Sequence, residues 1–318
     1  MLFMDSKELI SEIKRLKNEK NALILAHNYV KGEIQDLADY VGDSLGLSRK
    51  SAETDNELIV FCAVHFMAET ASVLAKRRQR ILCPDLNAGC SLSETITGSQ
   101  LKEWKKEHPD AIVVSYVNTS AEVKAESDYC CTSGNALNVV RSIPEDKDIL
   151  FLPDMFLGAW VQEVTGRKMH IWPGECHVHA SLPPERIQDL MKVHSDADFL
   201  IHPECGCSTS CMYLGSVGKL EKKPHILSTA GMVKHAEKSN AETFVVATET
   251  GILHPLKKSL PKKEFIPASD SMVCQYMKMV TLEKLYLSLR DEKHEVKVEE
   301  PLKSKAKKAI VRMLDIDG

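Results

Sequence analysis

The chain has 318 residues, of which 43% are apolar and 27% charged, with 41 basic against 45 acidic side chains. That length supports two or three domains around a sizeable core, and a net charge of -4 excludes a global field for nucleic acid or an anionic membrane. No apolar run approaches the roughly 20 residues of a membrane span, whereas ten cysteines exceed what packing needs and point to metal, cluster or redox chemistry.

The N-terminal stretch is acidic from Asp5 and has a helical period, so residues 7–20 are expected to form an amphipathic helix rather than a secretory signal, and a cytoplasmic chain is expected. Short β-branched and aliphatic runs then alternate with helical stretches, the pattern of βαβ units around parallel sheets. Strand runs are read at 23–29 (LILAHNY), 58–66 and 81–86, at 111–118 (AIVVSYVN), 148–156 and 169–173, and at 198–204 (DFLIHPE), 243–251 and 264–268. Two closing helices are read over 275–289 and 302–314. Leu282, Leu285, Tyr286 and Leu289 recur at three- and four-residue spacing, so the first of these is expected to cover a repeat face.

The nine runs form three matching sets. From His27, Tyr116 and His202 a hydroxyl residue follows after 17, 17 and 27 positions, at Ser44, Ser133 and Thr229, the third repeat carrying ten extra residues. A cysteine then closes each unit at Cys90, Cys176 and Cys274. The expected fold is therefore α/β, with three homologous αβα domains in pseudo-threefold arrangement over residues 1–92, 93–180 and 181–274, and C-terminal helices over 275–318 packing on them.

Ligands bind beyond the carboxyl ends of strands in open parallel sheets, so the ends of the three first runs should face one site. Those ends carry His27 and Tyr29, Tyr116 and Asn118, and His202 and Glu204. Each alone reads as a satisfied strand-end polar group, and recurrence in all three repeats favours a shared site. Ser44, Ser133 and Thr229 stand where helices should begin, as caps or as holders of carboxylate or phosphate groups. Cys62, Cys83, Cys130 and Cys131 read as small buried hydrophobes, with the adjacent pair open to redox chemistry. Cys205, Cys207 and Cys211 form C-x-C-x3-C, by local spacing the obvious metal-site candidate. Three thiolates supplied one per repeat would instead meet near the pseudo-threefold axis, one short of the four a [4Fe-4S] cluster needs. The usual marks of nucleotide hydrolysis, hydride transfer, zinc proteolysis and α/β-hydrolase chemistry are missing from the sequence.

LILAHNY from Leu23, FCAVHFMAETA from Phe61, CPDLNAGCSL from Cys83, YVNTSAEVKAESDYCCTSGNA from Tyr116, LPD-x-x-LG-x-W from Leu152, HPEC from His202, TETGILH from Thr248 and MKMVTLEKLYLSL near the C-terminus together resemble the quinolinate synthase family, over nearly the whole chain. The resemblance implies three α/β domains around a [4Fe-4S] cluster with one open iron, held by Cys90, Cys176 and Cys274. It implies condensation of iminoaspartate with dihydroxyacetone phosphate to quinolinate, with loss of phosphate and two waters, in a transferase that receives unstable iminoaspartate from an aspartate-oxidising enzyme. It also implies substrate contacts from His27, Ser44, Tyr116, Val117, Asn118, Ser133, His202, Pro203, Glu204 and Thr229, with Tyr29, Glu204 and His179 as the catalytic set. The ten-residue, cysteine-containing insertion between Glu204 and Thr229 departs from the common pattern. Cys274 stands without the neighbouring cysteines some members carry, so no redox switch of that type is expected. Two other readings remain: a cluster-dependent hydro-lyase without triose phosphate, and an iron–sulfur electron carrier, which would need four protein ligands.

Overall fold

In the computed structural model, which describes residues 4–218, 220 and 222–317, three four-stranded parallel sheets follow one another along the chain. The first contains β1 (Ala22–His27), β2 (Tyr40–Gly42), β3 (Leu58–Cys62) and β4 (Arg80–Leu82). The second contains β5 (Ile112–Tyr116), β6 (Tyr129–Cys131), β7 (Ile149–Leu152) and β8 (His170–Ile171). The third contains β9 (Asp198–Ile201), β10 (His225–Ile226), β11 (Thr243–Ala247) and β12 (Glu264–Pro267). The orders β2-β1-β3-β4, β6-β5-β7-β8 and β10-β9-β11-β12 are the same arrangement three times, so the chain is α/β with three equivalent units. Every residue of β1, β3, β7 and β9 is buried, as expected where helices cover both faces of a parallel sheet.

The equivalence extends to hydrogen bonds. Asp39, just before β2, accepts from the Ile24 N–H of β1 at 2.8 Å, and Asp128, just before β6, accepts from the Val113 N–H of β5 at 2.9 Å. Each carboxylate fixes the start of a strand too short to hold its register by ladder bonds alone. In the third unit the corresponding position is Pro224, and the extra residues form the helix Cys207–Ser216 where the other units have only Gly32–Gln35 and Ala121–Ala125.

The opening helix spans Ser6–Glu19 and is started by a capping box between Asp5 and Glu8. It packs against the helix Leu282–Asp291, whose Leu282, Leu285 and Leu289 are buried, so the closing helix covers the first unit as its periodicity predicts. That helix begins seven residues later than the sequence reading, because a 3-10 turn, Met277–Met279, lies between it and Cys274. The last helix, Leu302–Leu314, buries Ala306, Ala309, Ile310 and Met313 against Ala121–Ala125 and β6 of the second unit. Its end is tied across units. Asn135 donates from Nδ2 to the carbonyls of Met313 and Ile316 at 2.9 and 3.0 Å, and Arg49 of the first unit donates to Leu314 at 3.2 Å.

Ile310 is fully buried under this helix, so Ile310→Ala is expected to lower the unfolding free energy by about 2 to 5 kcal/mol. Urea denaturation followed by circular dichroism measures this; a change below about 1 kcal/mol would mean the helix is not part of the core.

Candidate active site

In each sheet the strand order reverses between the first strand and its two neighbours, so a crevice opens beyond the carboxyl ends of β1, β5 and β9. All three crevices open into a single cavity. From the first unit come His27, Tyr29, Ser44 and Cys90; from the second Tyr116, Asn118, Ser133, Cys176 and His179; and from the third His202, Glu204, Thr229, Glu249 and Cys274. Val117 and Pro203 do not line it. They are buried beside it, Val117 bonding through its N–H to the Cys131 carbonyl at 2.8 Å and Pro203 accepting from the Ser208 hydroxyl at 3.1 Å.

Two of the three strand ends make the same turn. The Tyr29 N–H points at His27 Nδ1 at 3.2 Å, and the Glu204 N–H at His202 Nδ1 at 3.4 Å. With Nδ1 accepting, each neutral imidazole carries its proton on Nε2. For His202 that nitrogen lies 3.1 Å from the Ser133 hydroxyl. Burial holds both rings neutral, pulling His27 down to about 3 and His202 to about 4, with Glu204 partly opposing the shift in each case.

The hydroxyls at the helix starts are not the caps. Asp43 caps the helix Ser44–Glu53 by accepting from Gly46 at 2.9 Å, and Ser228 caps Thr229–Lys238 by accepting from Gly231 at 3.2 Å. In the second unit Asn135 Oδ1 accepts from Thr132. Ser44, Ser133 and Thr229 are therefore spared for the cavity, and Thr229 also accepts from Asn28 across units at 3.0 Å.

Glu204 is the centre of the network. It is 3% exposed; one carboxylate oxygen accepts from the Tyr116 hydroxyl, and the other lies 3.0 Å from His179 Nδ1 and 3.9 Å from His202 Nδ1. Burial pushes this carboxyl up, but His179, His202 and the Tyr116 hydroxyl outweigh it and hold it down at about 2. Burial lowers His179, and the negative charge of Cys176 and Glu204 more than reverses it, so this ring is raised. His179 Nε2 meets Thr248 Oγ1 at 3.0 Å, and Thr248 Oγ1 meets the Tyr29 hydroxyl at 2.5 Å. Hydrogen bonds thus run from His179 through Thr248 to Tyr29, while Glu204 faces His179 Nδ1 as a charge contact, that nitrogen making no hydrogen bond among the described residues.

The ten cysteines divide by exposure. Seven are buried, and the three that are not, Cys90, Cys176 and Cys274, all line the cavity. Partial removal from water and then the nearby thiol of Cys176, with a smaller contribution from Cys274, raise the Cys90 thiol and resist its ionisation. That donor set, with partly open thiols around one cavity, fits a thiolate-held cluster. Among the described residues, neither this trio nor Cys205, Cys207 and Cys211 brings its sulfurs as close together as one shared ion requires, so what sets Cys90, Cys176 and Cys274 apart is their place on the cavity wall. Cys205, Cys207 and Cys211 are all buried with Ile201, Ala247 and Met272, and the Cys205 thiol donates to the Ala247 carbonyl.

Sequence reasoning applied the strand-end rule only to the first runs and so missed Thr248 and Glu249, just beyond β11. Glu249 is fully buried and accepts from the Cys274 N–H at 3.0 Å and the Gly251 N–H at 2.7 Å, while Lys278 lies 2.8 Å away and also donates to the Tyr29 carbonyl. Gly251 is required here: a Cβ would stand 2.8 Å from the Tyr29 backbone. Ser91 and His177, each next to a cavity cysteine, meet at 2.6 Å.

The buried neutral histidines predict an acid-sensitive fold. Both rings gain a proton near pH 6.5 in the unfolded chain but resist it when folded, so stability is present above that value and is lost as pH falls toward 4. Each ring contributes a slope of about 1.4 kcal/mol per pH unit in that window. His27→Gln should flatten the fall of melting temperature between pH 6.5 and 4; an unchanged profile would mean His27 is protonated in the native state.

The sequence profile of one family, described as Quinolinate synthetase A protein, matches residues 11–315. The chain is 52% identical over 313 residues to a quinolinate synthase of Thermus thermophilus, covering 98% of this chain and 99% of that protein. It is 48% identical to the quinolinate synthase of Pyrobaculum aerophilum, covering 96% and 99%. It is also 48% identical to that of Mycobacterium tuberculosis, covering 96% and 88%. With its profile spanning nearly the whole chain and relatives near half identity over their full length, the chain belongs to the quinolinate synthetase A family.

Proposed function

We propose that this chain is a quinolinate synthase that joins iminoaspartate to dihydroxyacetone phosphate, releasing phosphate and two waters, and so acts as a carbon–carbon bond-forming transferase. The observation that carries the reading is the convergence of three part-exposed cysteines and three strand-end acid/base sets, one from each unit, on one cavity. Cys90, Cys176 and Cys274 would hold a [4Fe-4S] cluster. When bound, the cluster supplies Lewis acidity at the iron that no thiolate reaches.

The chain's own residues supply the rest. Neutral His27 and His202 present Nε2–H donors, and Ser44, Ser133 and Thr229 present hydroxyls, to the carboxylates and the phosphate. Asn118 is half-buried, with a buried, unpartnered Oδ1 on the same wall, ready to accept from a substrate N–H or O–H. Glu204 and Tyr29 move protons, and His179, in contact with Glu204 and hydrogen-bonded through Thr248 to Tyr29, stands between them, so that a small turn of its ring would complete a path from one to the other. Iminoaspartate hydrolyses readily, so an aspartate-oxidising enzyme is its natural supplier, and a reducing cytoplasm would keep the thiols competent. No helix among the described residues is long and apolar enough to cross a membrane.

Two experiments test this. Anaerobic purification followed by iron and sulfide analysis is expected to find the cluster in the wild type and in Cys205→Ser, Cys207→Ser and Cys211→Ser, and to find it lost, with quinolinate formation, in Cys90→Ser, Cys176→Ser and Cys274→Ser. The opposite pattern sinks the ligand assignment.

The relay is tested in the same assay. Glu204→Gln should lower turnover by about 10²- to 10⁴-fold with normal iron content. Thr248→Val, which removes one bridging hydroxyl, should cost about tenfold, and Thr248→Ser should restore most of it. Equal activity of the valine and serine variants would show that the hydroxyl carries no proton.

A further inference from the structure

The third unit lacks the carboxylate that pins the second strand in the other two. His225 takes the register place of Tyr40 and Tyr129, pairing with Leu200 as they pair with Leu25 and Val114, but it follows Pro224 instead of Asp39 or Asp128. Yet this is the unit in which the chain returns to the sheet from the longest connection, through the inserted helix Cys207–Ser216. Some other interaction must hold β10 at that edge.

At the same place stand Asp198, the first residue of β9, His225, the first residue of β10, and His235 on the helix Thr229–Lys238. One ligand atom from each lies within 4.8 Å of the others. His235 Nε2 is 3.0 Å from Asp198 Oδ2, and the rings of His225 and His235 lie 3.9 Å apart between centroids. The carboxylate is held from outside: Lys222 contacts Oδ1 at 2.9 Å and also donates to the Ala197 carbonyl at 3.0 Å, while the Ser239 hydroxyl donates to Oδ2 at 2.7 Å. An ordinary Asp–His hydrogen bond accounts for His235 alone. It leaves His225, which joins no hydrogen bond in this network among the described residues, tilted against a second imidazole without electrostatic reason.

We propose that Asp198, His225 and His235 form a binding site for one divalent transition-metal ion of the zinc class, which clamps β10 and the inserted connection to the third sheet. Two imidazoles and one carboxylate suit such an ion, with solvent completing a tetrahedron at the open side, since both histidines are only half buried. Ligands at about 2.0 to 2.2 Å in a tetrahedron stand about 3.3 to 3.6 Å apart, so an ion entering here would replace the 3.0 Å His235–Asp198 hydrogen bond with a widening of only a few tenths of an ångström. Lys222 and Ser239 then act as the outer partners that orient the carboxylate. The site lies at the amino ends of the strands, so it is remote from the cavity beyond their carboxyl ends, and its role is structural.

Cluster-loaded protein is dialysed anaerobically against buffered Zn²⁺, and zinc and iron are counted in the same sample. One zinc per chain with unchanged iron is expected, together with a higher melting temperature. His225→Ala and His235→Ala should each weaken zinc binding by at least about tenfold, because even outer partners of a metal ligand are worth about 10- to 100-fold, and should remove the zinc-dependent rise in melting temperature. Asp198→Asn, which keeps the shape of the side chain, provides a third arm should either histidine variant fold poorly. No zinc above the dialysis buffer, zinc bound equally by the variants, or zinc gained only as iron is lost would each overturn the proposal.

Discussion

A carboxylate buried to 3% exposure cannot stand alone, and the site is built around that constraint at Glu204. Removing an ion from water costs several kcal/mol even after relaxation, and the charge survives only where partners restore what hydration gave. Here Tyr116 comes from the second unit, His179 from the helix that follows Cys176, and His202 from the same turn as Glu204. No single unit supplies the whole set. The anion therefore requires the second and third units to be assembled, and it couples the packing between them to the protonation of the site.

The same logic explains why three sheets are needed. A parallel sheet offers polar side chains without disrupting its core only beyond its carboxyl edge, and there only at the point where strand order reverses. One sheet provides one such corner, with space for a pair or trio of functional groups. Repeating the unit three times brings three corners to one cavity, together with three cysteines that follow the fourth strands. Small departures between units then give chemical difference on a common frame: His-x-Tyr in the first, Tyr-x-Asn in the second, His-x-Glu in the third.

Much of this was legible in the sequence, because the long central strands are continuous apolar runs and because repeat spacing carries positional information that local motifs lack. The offsets pick out the three cysteines that line the cavity, whereas the compact C-x-C-x3-C lies away from it, buried at the start of the inserted helix. The short strands Tyr40–Gly42, Tyr129–Cys131 and His225–Ile226 were not readable: two or three residues show no periodicity, and their register depends on partners such as Asp39 and Asp128 that read as loop residues. The hydroxyls at the helix starts were ambiguous because capping and ligand binding favour the same residue types. Only the geometry separates Asp43 and Ser228, which cap, from Ser44 and Thr229, which do not.

Glu249 shows how tightly the two halves of the proposed chemistry are joined. Its carboxylate has no exposed surface, and its partners are the Cys274 N–H, the Gly251 N–H and the Lys278 ammonium, which itself reaches the Tyr29 carbonyl. The backbones of Cys274 and Tyr29, which the proposal makes cluster ligand and proton carrier, are thus fixed to one ion pair whose carboxylate is fully buried. Losing either charge would leave the other uncompensated, a larger penalty than the pair's own net worth. The loop carrying Cys274 consequently cannot shift without pulling on the Tyr29 backbone, and Thr248, adjacent to Glu249 in the chain, moves with both. The Cys274 loop and the Tyr29 turn share one mechanical anchor, so that side of the cavity is set as a unit.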